Sequence, residues 1–538
     1  MQEQMKFGLV GRSAGLALLL AAGCTTVNTH PERDQIGPKP AAADAAVPGT
    51  PAAPAPPAAG VPLLPLAGPI RLTVNRTVLA VLENNRGLAV QRLDPQIKRT
   101  LEEIARAEFD PVLAAEIGRS RTRDEGFPPA PGSALINEGD YGSAELSQIL
   151  PFGTKLALAA SATRNQDPGV GPDFYSTRAS LTATQSLLRG AGLDVNLASL
   201  RQARIDTEIS EFELRGYTEL LVADTEKLYW DTELARRQVE IVRSSLDLAE
   251  KQQAETRERI TVGKLSPTEQ AAADAEVATR REELINAENT LAQNRVKLMR
   301  LLNPPGQGAW DRDLMLESDP AAVTDEEPGA VADHVTLALK RRPEMNQARL
   351  QIQRNDIDLV VTRNGLLPKL DFFITLGQDG YGNSFRDARN DNDGANYDVT
   401  AGARLEFPLL NRDARARHTR ARLSRDKAAE ALGNLGQLAE EDVRSAYLEL
   451  KRAQAQVGAT TATRRLQEEK LRVEIEKFRV GKSTALQVAQ VQRDLLTSQI
   501  AEARARAALR TGYVELYRVE GTLLDRRGLQ CPGAVPVE

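Results

Sequence analysis

Phe478-Arg479-Val480-Gly481-Lys482-Ser483-Thr484-Ala485-Leu486-Gln487 decides how the rest of the chain is read. The preceding residues, 412–478, contain no proline and are rich in Ala, Leu, Glu, Gln, Lys and Arg. Residues 484–523 after it have the same character. That mixture favours helix. Gly481 sits where one helix must stop and reverse, and glycine accepts the left-handed backbone required there. Ser483 or Thr484 then caps the next helix. A helix of about 66 residues is on the order of 100 Å long, so it needs a partner along its length. Antiparallel coiled-coil pairing is the simplest one.

The same device occurs 218 positions earlier. Val262-Gly263-Lys264-Leu265 is followed by Ser266-Pro267, an N-cap with a first-turn proline. Val296-x-Leu298-x-Arg300 matches Val514-x-Leu516-x-Arg518 at the same offset. Upstream, Val78, Leu82 and Pro111-x-Leu113 match Val335, Leu339 and Pro368-x-Leu370, all 257 positions on. Leu188 pairs with Leu410, an offset of 222, so the first half carries about 35 extra residues in its middle segment. Each half therefore predicts the same order. A helix comes first (74–108, then 330–365). A β-rich segment follows (111–188, then 368–410). Two long helices come last (194–260 and 267–302, then 412–478 and 484–523).

The middle segments alternate with period two. Tyr397, Val399, Ala401, Ala403, Leu405 and Phe407 interleave with Asp398, Thr400, Gly402, Arg404 and Glu406. Leu181, Ala183 and Leu187 interleave with Thr182, Thr184 and Ser186, and Leu370, Phe372, Ile374 and Leu376 form a third series. Period two means strands with one apolar and one polar face, as in a soluble sandwich or in a barrel with lipid outside and water inside. Residues 109–188 and 368–410 hold 12 of the 20 Phe and Tyr, and membrane barrels gather aromatics at their interfaces. Residues 143–150 and 155–163 are also strand-like, hinged at Pro151-Phe152-Gly153. They either enlarge a barrel to six strands per chain or fold outside its wall.

The N-terminus reads as an address. Lys6 and Arg12 precede the ten-residue apolar run Ser13–Ala22. Ten residues are too few to span a bilayer and fit the core of a secretory signal. Leu20-Ala21-Ala22-Gly23-Cys24 resembles a bacterial lipoprotein processing site, with the usual leucine one place early. That resemblance implies cleavage before Cys24, its lipidation, and contact with outer-membrane lipid. In residues 38–67, 9 are Pro and 11 are Ala, which makes 24–69 an extended linker.

Composition excludes several classes. The 69 basic and 74 acidic residues nearly balance, leaving no broad nucleic-acid footprint. Two cysteines, Cys24 and Cys531, cannot build a disulfide scaffold, and His30, His334 and His418 are scattered. Asp391-Asn392-Asp393-Gly394 resembles part of a calcium loop, but Arg389 and Thr400 stand at its first and twelfth positions. No nucleophile–base constellation or phosphate-binding glycine loop is present, so the expectation is no enzyme, no cofactor and no metal.

Over residues 70–525 the chain resembles the TolC family of outer-membrane efflux proteins. The resemblance rests on the duplicated helix–strand–hairpin order, on Pro111 and Pro368, and on the Val-Gly tips. It rests also on Gln185-Ser186-Leu187-Leu188-Arg189-Gly190 and Glu406-Phe407-Pro408-Leu409-Leu410, where strand gives way to helix. The resemblance implies a mixed α and β membrane protein. Its coiled-coil hairpins form a periplasmic tunnel, and its strands join a trimeric transmembrane β-barrel. A homotrimer would work with a periplasmic adaptor and, through it, an inner-membrane pump. Segments 1–23, 24–69, 70–303, 304–329, 330–525 and 526–538 are then signal, linker, first repeat, inter-repeat linker, second repeat and tail.

The family docks its tips onto the adaptor. The matching residues are Val262, Gly263, Lys264 and Leu265, and Val480, Gly481, Lys482 and Ser483. The two lysines depart from the usual Leu or Thr and suggest an acidic or polar counterpart. Where the family often places an acidic constriction ring, this chain has Gln487 and Gln490. The alternative function is a lipid-anchored coiled-coil scaffold, which would account for the long helices but not for duplicated amphipathic strands.

Overall fold

The computed structural model describes residue 64 and residues 68–125, 134–166, 173–306, 308–320, 327–392, 395–533 and 535–537. The signal segment, Cys24, nearly all of the linker, and Asp393 and Gly394 lie outside these residues.

The first repeat opens with β1 (Ile70–Leu72), α1 (Val74–Asn84), α2 (Arg86–Gln91) and α3 (Asp94–Arg106). The expected single helix over 74–108 is thus broken. The Asn85 side chain caps α2 by accepting the Leu88 N–H at 3.0 Å, and Pro95 stands in the first turn of α3. Next come β2 (Val112–Glu125), β3 (Ala134–Ile149), β4 (Thr154–Gln166) and β5 (Phe174–Ser186), then α4 (Leu193–Asn196), α5 (Ala198–Thr261) and α6 (Thr268–Leu302). The second repeat follows β6 (Leu314–Leu316). It contains α7 (Val331–Arg341), α8 (Pro343–Gly365), β7 (Lys369–Gly382), α9 (Phe385–Asn390), β8 (Tyr397–Glu406), α10 (Arg412–Arg479), α11 (Ala485–Val519) and α12 (Leu523–Arg526). Pro343 divides the expected helix over 330–365, because its ring forbids the bond that would join α7 to α8.

The long helices have the expected lengths, 64 residues for α5 and 68 for α10. Each folds back on its successor, α5 on α6 and α10 on α11, and α5 also packs on α11 across the repeats. The main core gathers Tyr229, Trp230, Leu298, Met299 and Leu302 around β1, which pairs in parallel with β6. The Tyr229 hydroxyl donates to the Leu72 carbonyl and accepts the Ser318 N–H, both at 3.0 Å, and so ties α5 to both short strands. Among the described residues no helix is long and apolar enough to cross a bilayer.

The tail belongs to this body. Just before it, Leu523 and Leu524 are fully buried beside Val78, Val222 and Val514. Arg527 holds Glu226 with two hydrogen bonds of 2.7 and 2.6 Å, and the Val537 N–H reaches Asn346 at 2.9 Å. Asp525 reaches the buried Arg215 at 3.2 Å, and Arg215 lies 3.3 Å from the equally buried Glu219. Burial pushes the Glu219 carboxyl up to about 8, against the pull of Arg215. Folded Glu219 therefore holds a proton that the unfolded chain, near 4.5, releases. Its contribution to stability is fully present below pH 4.5 and is lost as pH rises through 8. Glu219→Gln is expected to remove that loss, which is on the order of 3 kcal/mol. Urea midpoints of the helical signal at pH 5 and pH 8.5 should converge in the variant.

All six longer strands form one antiparallel sheet in the order β2-β3-β4-β5-β7-β8. The 134–166 hairpin is thus built into the sheet between β2 and β5, which settles its place in the fold. Register aligns the strands row by row. Leu113, Leu146, Leu158, Leu181, Leu376 and Val399 are successive partners across all six strands, and every one is exposed. The row holding Gln148, Leu156, Ala183, Ile374 and Ala401 lies on the same face. The other face carries Ser147, Ala157, Thr182, Thr375 and Thr400 in one row. Directly paired residues share a face, so the period-two pattern of each strand adds up to a sheet with one apolar and one polar side.

Candidate functional site

Two regions bear on function: the hairpin tips and the two-faced sheet. At the tips both long helices end alike. The Lys264 N–H reaches the Arg259 carbonyl at 2.8 Å and the Gly263 N–H reaches Ile260 at 3.0 Å; Lys482 to Lys477 and Gly481 to Phe478 repeat this at 2.8 and 3.1 Å. This is the Schellman arrangement, and it places both glycines in the left-handed region, at φ 73° and 77°. Nothing lies within 4 Å of a Cβ built on either glycine. Gly481→Ala is therefore expected to cost about 1–2 kcal/mol through backbone strain alone. Faster amide exchange in the last turn of α10, with the remainder of α10 unchanged, is the check.

Val262, Gly263, Lys264, Val480, Gly481 and Lys482 are exposed, whereas Leu265 and Ser483 are half-buried. Leu265 packs into the other hairpin, against Phe478, Ala485 and Val488. Ser483 donates to Glu474 at 2.5 Å. With Lys477 that hydroxyl holds the Glu474 carboxyl below its usual range. Thr484 is the N-cap of α11 and forms a reciprocal capping box with Gln487. In the first repeat α6 starts at Thr268, one residue later than Ser266-Pro267 suggests. Ser266 Oγ meets the Thr268 N–H only at 3.4 Å. Gln487 and Gln490 are both exposed and border one shallow groove with Lys482 and Asp494.

Sequence reasoning missed the residues that fasten one tip to the other. The Arg259 guanidinium donates to the Phe478 carbonyl at 3.1 Å, lies 4.6 Å from the centre of the Phe478 ring, and donates to Glu255 at 2.6 Å. Phe478 is only 2% exposed. One signal was available: Phe478 is the sole phenylalanine in α10, two residues before the tip valine.

The sheet has its own electrostatic plan. On the polar side Arg178 bridges Asp379 and Asp398, each at 2.8 Å, and Thr182 and Thr375 share a hydrogen bond of 3.0 Å. On the apolar side the aliphatic rows stop where Arg119, Asp140 and Arg164 begin. Arg119 meets Glu138 at 2.9 Å, and Arg164 meets Asp140 at 3.0 Å. On β4 the stretch from Thr154 to Thr163, below Arg164, gives a band about 25 Å tall at a 40° tilt, the height of an outer-membrane barrel's apolar belt.

A sequence model described as outer membrane efflux protein matches residues 78–304 and 335–522. The pyoverdine export outer membrane protein OpmQ of Pseudomonas aeruginosa is 24% identical over 426 residues, 74% of this chain and 85% of that protein. Among solved structures, the outer-membrane channel OprN superposes with a TM-score of 0.63 at 18% identity, covering 84% of this chain and 90% of OprN. The Campylobacter jejuni CmeC outer membrane channel gives 0.64 at 13% identity, covering 84% and 86%.

Proposed function

The chain belongs to the outer membrane efflux protein family and is an export channel of the outer membrane; from that premise we propose that it works as a homotrimer coupled to a periplasmic adaptor and, through it, to an inner-membrane pump. Three chains share one barrel, and their hairpins form a tunnel through the periplasm. The observation that carries this reading is the aliphatic row from Leu113 to Val399, exposed along its whole length on a sheet with two open edges. Open edges leave backbone groups without partners, which lipid does not tolerate. A coiled-coil scaffold has no use for such a sheet.

In this reading the signal 1–23 is removed, Cys24 is lipidated, and the linker to residue 69 leads to repeats over 70–303 and 330–525, joined by 304–329. The exposed residues Val262, Gly263, Lys264, Val480, Gly481 and Lys482 meet the adaptor, with Leu265 and Ser483 shaping the tips behind them. The paired lysines favour an acidic or polar counterpart. Gln487 and Gln490 border the narrow periplasmic end, and as uncharged groups they set no ion preference. The cargo is a small molecule or polypeptide, and the protein makes no bonds.

The test is the mass of protein extracted from washed outer membranes in mild detergent, corrected for bound detergent. Three times the mature chain is expected, with resistance to carbonate washing retained in Cys24→Ala. A monomer or dimer released without detergent would leave the scaffold as the better account.

A further inference from the structure

We infer that the barrel closes through a seam between β8 of one copy and β2 of the next, in a register set by the internal repeat, giving a wall of eighteen strands with Leu405 facing Ile117. The inference rests on the trimeric reading above and adds the strand count, the paired edges and their alignment.

Three observations carry it. The first is direction. Six strands, each antiparallel to its neighbour, leave β2 and β8 running opposite ways at the two edges. A head-to-tail ring of identical chains then closes antiparallel throughout. The second is the duplication. Inside the chain, the strand that leaves for a long helix, β5, pairs with the strand that arrives from a helix, β7. At the open edges β8 leaves for α10, and β2 arrives from α3. The seam is thus the repeat-equivalent of a pairing the chain already makes.

The third is register. Within the chain Leu181 faces Leu376. The 222-residue offset of Leu188 and Leu410 carries Leu181 to Ala403, and the 257-residue offset of Pro111 and Pro368 carries Leu376 to Arg119. With Ala403 opposite Arg119, every residue of β8 meets a residue of β2. Tyr397, the start of β8, faces Glu125, the end of β2. Leu405 then faces Ile117, both on the apolar side. They are 67% and 92% exposed, so a neighbouring strand covers part of two bare aliphatic side chains.

The consequence is a wide mouth. Eighteen strands spaced about 4.8 Å apart and tilted about 40° make a ring about 36 Å across, against about 24 Å for twelve.

The experiment uses the full chain with Cys531→Ser, Cys24 kept, and the pair Ile117→Cys and Leu405→Cys. Oxidation in outer membranes should link chains into a covalent trimer, since facing residues across an antiparallel pair lie within disulfide reach. The pair Ile117→Cys and Ala401→Cys, four residues out of register, should give at least tenfold less product. Each single variant is sized in detergent first. A trimer in which 117–405 does not cross-link, or the 117–401 pair cross-links as well, overturns the seam. A particle that is not a trimer overturns the trimeric reading instead. Leu158→Cys supplies a separate check on the strand count. It should resist an aqueous maleimide while Ser161→Cys, on the polar face, reacts. Ready labelling of Leu158→Cys would mean that the apolar face of β4 does not meet lipid, and would overturn the count of eighteen.

Discussion

Leu158→Arg is expected to abolish assembly in the outer membrane. Leu158 lies in the middle of the aliphatic row, with Leu146 and Leu181 as its direct partners. An arginine facing lipid near the bilayer midplane costs about 2–4 kcal/mol. The cost is incurred once in every copy that shares the barrel, so the penalties accumulate in one cooperative assembly. Thr182→Arg is the matched control. It stands one residue from Leu181 but on the opposite face, beside Thr375. Barrels accept charge on the watered side, so Thr182→Arg should assemble at close to the parent level. The amount of detergent-stable oligomer recovered from carbonate-washed membranes distinguishes the two variants. Equal recovery would mean that the row does not face lipid.

Phe478→Ala is expected to release the second tip from the first. The ring is buried with Ala485 and Val488, contacts Leu265 from the other hairpin, and lies beneath the Arg259 guanidinium. Truncating a buried phenylalanine typically costs about 3–5 kcal/mol, and here the loss falls on a region with few other buried apolar groups. Amide exchange should quicken around residues 256–265 and 474–489 and stay slow in the main core around Tyr229 and Leu298. If the tips restrict the periplasmic end, channels in planar bilayers should also pass more current. Arg259→Ala should move both readouts in the same direction by a smaller amount. Lys482→Ala, at an exposed position, should change tip stability by no more than about 0.5 kcal/mol. Equal exchange in Phe478→Ala and the parent protein would refute the tie.

Much of this architecture was legible because its signals are long. Four proline-free stretches fixed the long helices, and their glycine tips placed the reversals at Gly263 and Gly481. Alternation in 397–407 identified β8 without reference to any neighbour. The shorter helices read less well. A helical composition over 74–108 conceals the cap at Asn85, which depends on where its side chain points. Whether the 134–166 hairpin joins the sheet depends on hydrogen bonds between strands far apart in sequence, which no local period reports. At the tips, exposed residues were easy to name because turn chemistry is local. The Arg259–Phe478 contact joins residues 219 positions apart, and neither residue type alone signals it. Gln487 stands where the family resemblance would put a constriction; what its side chain does in the structure is cap α11, a local role that Ser/Thr-x-x-Gln spacing encodes.

The sheet also constrains how the protein reaches its destination. The helical body has cores of its own around Tyr229 and Val443. In a single chain α9 packs against β5 and β7 at one end of the sheet, and the aliphatic row stays exposed. The sheet exposes an unbroken aliphatic row and, among the described residues, two unpaired edges, the features that lead strands of separate molecules to stick together. Before insertion this is the part of the molecule most open to pairing with strands of other molecules. Because closure takes more than one copy, the time spent in that state grows as the protein becomes scarce.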